Sequence, residues 1–240
     1  MKRIILSILI TLSCALPLLA QKQNQTKPGP CTLGVDRAPE LRGFRLGVSQ
    51  AEVLNRFPGT SLDKPDKFGR SQLRLTVIDT STISKGGLRP DKAVQPDMTS
   101  APGDESAFVV DSTRLSVLKG VRRIRFQFVD GRLAQLQVAY DDSIKWDTVD
   151  EFVESVARAL NLSPDWSLPP NGDGSTSGRE LRCQGFVITA DLNADSTDTR
   201  IGAQLFLEDL QASALVEKRQ TDLKERAEAA EDAKKKNFKP

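Results

Sequence analysis

Histidine is absent from all 240 residues. That absence removes every imidazole acid–base scheme, every histidine-based nucleophile triad and every histidine-ligated zinc or haem site. Cysteine is nearly as scarce. Cys14, Cys31 and Cys183 are the only three, and none forms a Cys-x-x-Cys pair, which leaves redox catalysis and a cysteine zinc site without ligands. An excess of one charge sign is also lacking: 34 Lys plus Arg stand against 32 Asp plus Glu. Lys2 and Arg3 lie in the first 20 residues with no acid beside them, so the chain beyond is formally neutral. Such a chain has no long-range pull toward nucleic acid, and no nucleic-acid partner is expected. No cofactor fingerprint and no complete catalytic motif occurs, so neither a cofactor nor a catalytic residue is assigned.

What is present begins with a leader. Met1-Lys2-Arg3 precedes an apolar run from Ile4 to Ser13, then Leu16 to Ala20, and Gln21 to Gln25 is abruptly polar. This is the pattern of a secretory signal peptide over residues 1–20, and the run is short for a membrane span. Two endings stand open. Cleavage after Ala20 gives a periplasmic or secreted protein; Thr11-Leu12-Ser13-Cys14 resembles a lipobox, and lipidation at Cys14 would anchor the chain to a membrane. Export leaves Cys31 and Cys183 as an even pair in an oxidising compartment, which points to a disulfide, with two unpaired thiols as the other reading.

Residues 21–40, with Pro28, Pro30 and Pro39, read as a disordered tether. The body spans 41–208 and its fold class is α+β, an antiparallel sheet of four to six strands covered on one face by helices. Its order is helix, strands, helix, strands, and the stretches 41–140 and 141–208 are readable as degenerate copies. Ser49 and Glu52 form a capping box for a helix over Gln50–Phe57 that Pro58-Gly59 ends. Leu73, Leu75 and Val77 alternate in a strand, and Ser84–Ser106 is a Gly/Pro-rich loop. Ile124, Phe126 and Phe128 alternate ahead of Asp130-Gly131. A two-residue turn there would oppose Arg125 to Leu136, so a three-residue loop pairing Phe126 with Ala134 is expected. Asp147 is expected to cap a second helix with the stripe Val149, Phe152, Val153, Val156 and Leu160. Pro169–Gly178 reads as a loop, and Glu180–Leu192 and Arg200–Leu207 as single strands. Residues 209–240 make a charged helix that projects into solvent, with Asp222–Arg226, Glu231–Lys235 and Asp232–Lys236 spaced to pair.

Few residues compete for a chemical role. Ser116-Val117-Leu118-Lys119 and Ser61-Leu62-Asp63-Lys64 fit Ser-x-x-Lys, but the partner motifs of that chemistry are missing. Asp191, Asn193 and Asp195 open a calcium-type loop with Asp198 nearby. Its sixth and twelfth positions are Ser196 and Gly202 where glycine and glutamate are needed, so a polar turn is the first reading and weak calcium binding the second. Asp141 and Asp142 are the acids a carboxylate-based hydrolase of envelope glycans would use, a chemistry that needs no histidine. Arg122, Arg123 and Arg125 read as the solvated face of a strand, and Lys234–Lys236 as a helix terminus favouring its dipole. Trp146 and Trp166 bracket the second helix as packing residues, and Phe238 either docks back on the body or meets a partner.

The stretch Phe44-Arg45-Leu46-Gly47-Val48-Ser49-Gln50-Ala51-Glu52-Val53, followed by Phe57-Pro58-Gly59, resembles the opening of small bacterial envelope modules. These are the outer-membrane assembly lipoproteins of the SmpA/OmlA type and the β-lactamase inhibitor proteins. Phe128-Val129-Asp130-Gly131-Arg132-Leu133 is similar to the tight turn of their sheets. The resemblance implies a non-enzymatic binding or scaffold protein with a protein partner in the envelope. Intact-mass measurement on the exported protein should show residues 1–20 missing and two hydrogens fewer than the reduced chain; a full-length, fully reduced product would refute both expectations.

Overall fold

The computed structural model describes residues 31–78, 108–111, 115–141, 145–169, 178–194 and 201–237. Residues 1–20, read as a leader, lie outside the described residues with Cys14, Ser84–Ser106, Asp142, Asp195 and Phe238, as does the interior of Pro169–Gly178.

The fold is α+β. Helix α1 (Gln50–Arg56) precedes strands β1 (Arg70–Ile78), β2 (Phe108–Asp111), β3 (Val121–Val129) and β4 (Arg132–Tyr140). Helix α2 (Val149–Leu160) precedes β5 (Gly178–Arg182), β6 (Phe186–Ala194) and β7 (Ile201–Asp209), and α3 (Leu210–Asn237) closes the order. The seven strands form one sheet in the order β2-β1-β3-β4-β7-β6-β5, antiparallel except for the short β2 beside β1. Seven exceeds the expected four to six, partly because Glu180–Leu192 is a hairpin that turns at Cys183–Gly185. The two halves, β2-β1-β3-β4 and β5-β6-β7, meet where β4 pairs with β7.

Local chemistry fixes the helix starts. Ser49 accepts from the Glu52 amide while the Glu52 carboxylate accepts from the Ser49 amide at 2.8 Å, completing the capping box. At α2 the cap is Thr148, not Asp147: its hydroxyl accepts from the Glu151 amide, and Glu151 reaches back to the Asp147 amide at 3.0 Å. Asn161 ends α2 in the left-handed region at φ 53°.

The β3–β4 hairpin differs from the expected register. Val129 pairs with Arg132, so Asp130-Gly131 is a two-residue turn with φ of 49° and 79°, the left-handed pair a type I′ turn requires. The register then slips at Ala134, which has no partner between Phe128↔Leu133 and Gln127↔Gln135. That bulge absorbs one residue, so Phe126 opposes Leu136 and Ile124 opposes Val138. The apolar faces align by a tight turn plus a bulge, where a looser turn was expected.

One face of the sheet carries the main core. Leu73, Leu75, Ile124, Phe126, Phe128, Leu136, Val138, Leu205, Leu207, Phe186 and Ile188 are buried there with Val53 of α1 and Phe152, Val153 and Val156 of α2. Cover on one face alone was expected, but α3 packs on the other. Val216 is buried against Val129 and Ala134, flanked by Phe68 and Ala212. The bulge supplies Ala134 to that face, which a regular strand would not have done.

The segment expected as a tether joins the body from Cys31 onward. Cys31 is bridged to Cys183 with Cα atoms 4.4 Å apart, Leu33 O accepts from the Gly185 amide at 3.0 Å, and Ala38 is buried. A bridge across 152 residues contributes on the order of 5 kcal/mol in the chain-entropy account. At the other end, residues 224–236 of α3 are exposed on every side. The ion pairs there are Lys224–Glu228 at 3.9 Å and Asp232–Lys235 at 3.7 Å, in place of the three expected. About 20 Å of helix therefore stands beyond the body with no packing. Deleting residues 224–240 should keep the melting temperature within a few degrees of the full chain, as followed by thermal circular dichroism.

Candidate polar trough on the open face of the sheet

Strand alternation sends polar side chains to the face opposite the main core. Gln72 and Arg74 of β1, Arg125 and Gln127 of β3, Gln135 and Gln137 of β4 and Gln204, Phe206 and Glu208 of β7 all lie there, each half-buried. Register sorts them into rows across the strands. Gln72, Gln127, Gln135 and Glu208 are successive partners in one row, and Arg74, Arg125, Gln137 and Phe206 in the next. A second slip, between Val121 and Arg123, places Arg122 and Arg123 side by side on this same face. Gln137 donates to Gln204 at 2.9 Å, holding one pair of amides in place.

Helix α3 forms the wall. Its first amide donates to Gly185 O at 3.2 Å, and Asp209 Oδ1 accepts from the Gln211 and Ala212 amides at 2.8 and 3.1 Å. Ser213 donates to Glu208 on β7. The helix then passes over Ala134 and Val129, and Arg219 arrives at the Asp130 turn and the start of β1. It therefore crosses the strands at one end of the sheet. Between it and the first polar row lies a hollow of about 200 Å³, lined among others by Gln127, Gln135, Glu208, Ser213 and Gln220. A second hollow of about 290 Å³, bounded by Asp63, Lys64 and Gln72, shares Arg70 and Gln127 with it. Together they make a polar trough that begins beside α3 and continues past Arg70 and Gln127 to the loop before β1.

The wall is latched by one fork. Arg219 donates to both Asp130 oxygens at 2.9 and 2.7 Å and to Phe68 O at 2.7 Å. Gly69 lies directly beneath, at φ 79°, where a Cβ would collide with Asp130 and Arg219. The Arg219 fork holds the Asp130 carboxyl below the usual carboxylate range, and Asp130 in turn raises Arg219.

The residues singled out from sequence are spread through the molecule. Cys31 and Cys183 are joined. Asp191 and Asn193 sit on extended β6, paired with Gln204 and Gly202 of β7, where a loop was expected. Among the described residues no three His, Cys, Asp or Glu gather as a metal site. Asp141 follows β4, its amide donating to Gly120 O at 3.1 Å. Ser116 opens a 3-10 turn that Lys119 closes by donating its amide to Ser116 O, and Ser61 and Lys64 are exposed on the loop before β1. Trp146 packs 4.5 Å from the Phe152 ring, and Trp166 is buried with its indole N–H on Ser163 O at 2.7 Å. A further cleft, about 490 Å³, lies beside the disulfide at the β5 edge; its buried carboxylate, Glu180, is held by Arg182 at 2.9 Å. No helix among the described residues is long and apolar enough to cross a membrane.

The trough and its latch were not anticipated. The alternation of Gln and Arg opposite the apolar positions of β1, β3 and β4 was the available signal, but the rows exist only once register is fixed. Asp130→Asn keeps a left-handed-tolerant turn residue and removes only the charge. A depressed folded pKa gives stability that is present above the unfolded value near 3.9 and lost as pH falls through the folded value. The variant should therefore exchange the α3 amides of residues 210–223 faster than wild type at pH 7, and the difference should shrink as pH falls below the unfolded value toward the depressed folded one.

Comparison with family models, with curated proteins and with solved structures finds no match for this chain.

Proposed function

We propose that this is an exported, non-enzymatic binding or scaffold protein of the cell envelope, and that the trough beside α3 is its partner surface. The observation that carries the reading is the register-aligned row Gln72–Gln127–Gln135–Glu208 walled by a latched helix. The three glutamine amides both donate and accept hydrogen bonds, the Glu208 carboxylate accepts, and all lie in a depression at the protein surface, which suits recognition of another polypeptide's amides. Export is supported by the leader over residues 1–20 and by the Cys31–Cys183 bridge, which persists in an oxidising compartment. The bridge also fits a scaffold: it fixes the chain leaving the leader to the β5–β6 turn, while the free end of α3 leaves the body beyond β1. The protein thus offers two attachment points at opposite edges of one sheet.

The test is a photocrosslinking residue placed at Gln135 in the trough, with Glu154 on the exposed side of α2 as the control. In cells exporting the protein, Gln135 should capture one protein species that Glu154 does not. Equal capture from both sites, or hydrolysis of envelope glycans by the purified protein, would overturn the reading.

A further inference from the structure

We infer that the cleft at the β5 edge is a saccharide site that takes a neutral, hydroxyl-rich sugar ring. At about 490 Å³ it exceeds either hollow of the trough and falls in the range of small-ligand clefts. Both of its walls are fixed before a ligand arrives. One is the loop that follows α2. The Trp166 indole donates to Ser163 O at 2.7 Å, the Trp166 amide donates to Pro164 O at 2.9 Å, and Ser167 and Glu180 exchange both main-chain bonds at 2.8 and 2.7 Å. The other wall is Cys31–Leu33, held by the disulfide and by the Gly185 amide on Leu33 O. Walls set in this way lower the ordering cost of binding.

The lining selects the ligand. Buried Leu181 and half-buried Leu33 and Leu162 supply apolar surface, and exposed Thr32, Asn161, Ser163, Asp165 and Arg182 stand beside them. A purely apolar guest would strip water from those polar groups and leave them unpaired. An anion is disfavoured as well. The lining holds two carboxylates, Asp165 and Glu180, against the single cation Arg182, whose Nε is given to Glu180 at 2.9 Å. An extended peptide would add to a sheet edge through free main-chain groups. Here Glu180 turns its main chain to Ser167 and Cys31 already bridges beside Cys183, so β5 offers no unbroken run. A pyranose fits what remains. Its C–H faces suit the leucines, and its hydroxyls match groups that donate and accept: the Asn161 amide, the Thr32 and Ser163 hydroxyls and the Asp165 carboxylate. Asp165 is oriented in advance, one oxygen accepting from the Ser163 hydroxyl at 3.2 Å. The cleft lies at the sheet edge opposite β2, and the inference does not rest on the trough being the partner surface.

The chain has two tryptophans, Trp146 before α2 and Trp166 in the cleft wall, so their indole N–H proton resonances serve as control and probe. Linear trisaccharides of glucose, galactose, mannose and N-acetylglucosamine are titrated into the full exported chain to about 10 mM, which reads millimolar and tighter binding. At least one sugar should move the Trp166 signal saturably and leave Trp146 unmoved. Asp165→Ala should weaken that sugar about tenfold, the weight of one hydrogen bond to a charged group. Thr32→Phe, which puts bulk at an exposed position of the lining, should abolish binding at an unchanged melting temperature. A neutral peptide of alternating Ser and Asn should leave the Trp166 signal in place. No saturable shift with any of the sugars, equal movement of both tryptophans, a peptide response matching the sugar's, or full affinity in both variants would each overturn the inference. Capture at Gln135 is unaffected by any of these results, so the cleft and the trough fail separately.

Discussion

The register of the β3–β4 hairpin is the constraint on which both faces of the sheet depend. Strand side chains alternate with a period of two, so a slip of one residue would send Leu136 and Val138 to the face opposite Phe126 and Phe128. The Asp130-Gly131 turn alone would impose that slip, and the bulge at Ala134 cancels it. Turn and bulge act as a pair. The extra residue is small and apolar, and it becomes the seat for Val216, so the correction of register also provides the contact that docks α3.

Asp130 serves twice. Its left-handed backbone makes the turn, and its carboxylate receives the Arg219 fork. The helix that walls the trough is thereby tied to the residue that sets the floor's register. Among the described residues it is otherwise held by one small apolar cluster, the Asp209 cap, the Leu210 amide on Gly185 O, the Arg219 bond to Phe68 O and the Ser213–Glu208 contact. Such thin packing explains why α3 keeps a hollow beneath it and why its last turns carry only alanine among charges. The opposite face, with two helices and six fully buried phenylalanine or leucine positions on β1, β3 and β4 alone, holds the body together.

Much of this was legible locally. Capping chemistry placed α1 because Ser49 and Glu52 interact within one turn, and the α2 stripe is a property of helical spacing. The Cys31–Cys183 pair followed from counting cysteines once export was expected. The edges were harder. Val109 and Val110 form a parallel edge strand beside β1 that no turn signal announces. The β5–β6 hairpin was read as one strand because its turn, Cys183-Gln184-Gly185, contains the bridged cysteine and a glycine packed on the Gly34–Val35 backbone.

The sequence by itself determined the helices, the alternating strands, the absence of histidine chemistry and the pairing of Cys31 with Cys183. Each is set by spacing of a few residues, by residue identity or by counting. Tertiary structure decided the rest: the compensating bulge, the meeting of the two halves at β4 and β7, and the passage of α3 over the polar face. These depend on partners far apart in the chain, Arg219 with Asp130 and Gln72 with Gln127 and Gln135. A row of side chains across four strands has no counterpart in a linear pattern, because its neighbours are chosen by the hydrogen-bond ladder and not by the order of residues.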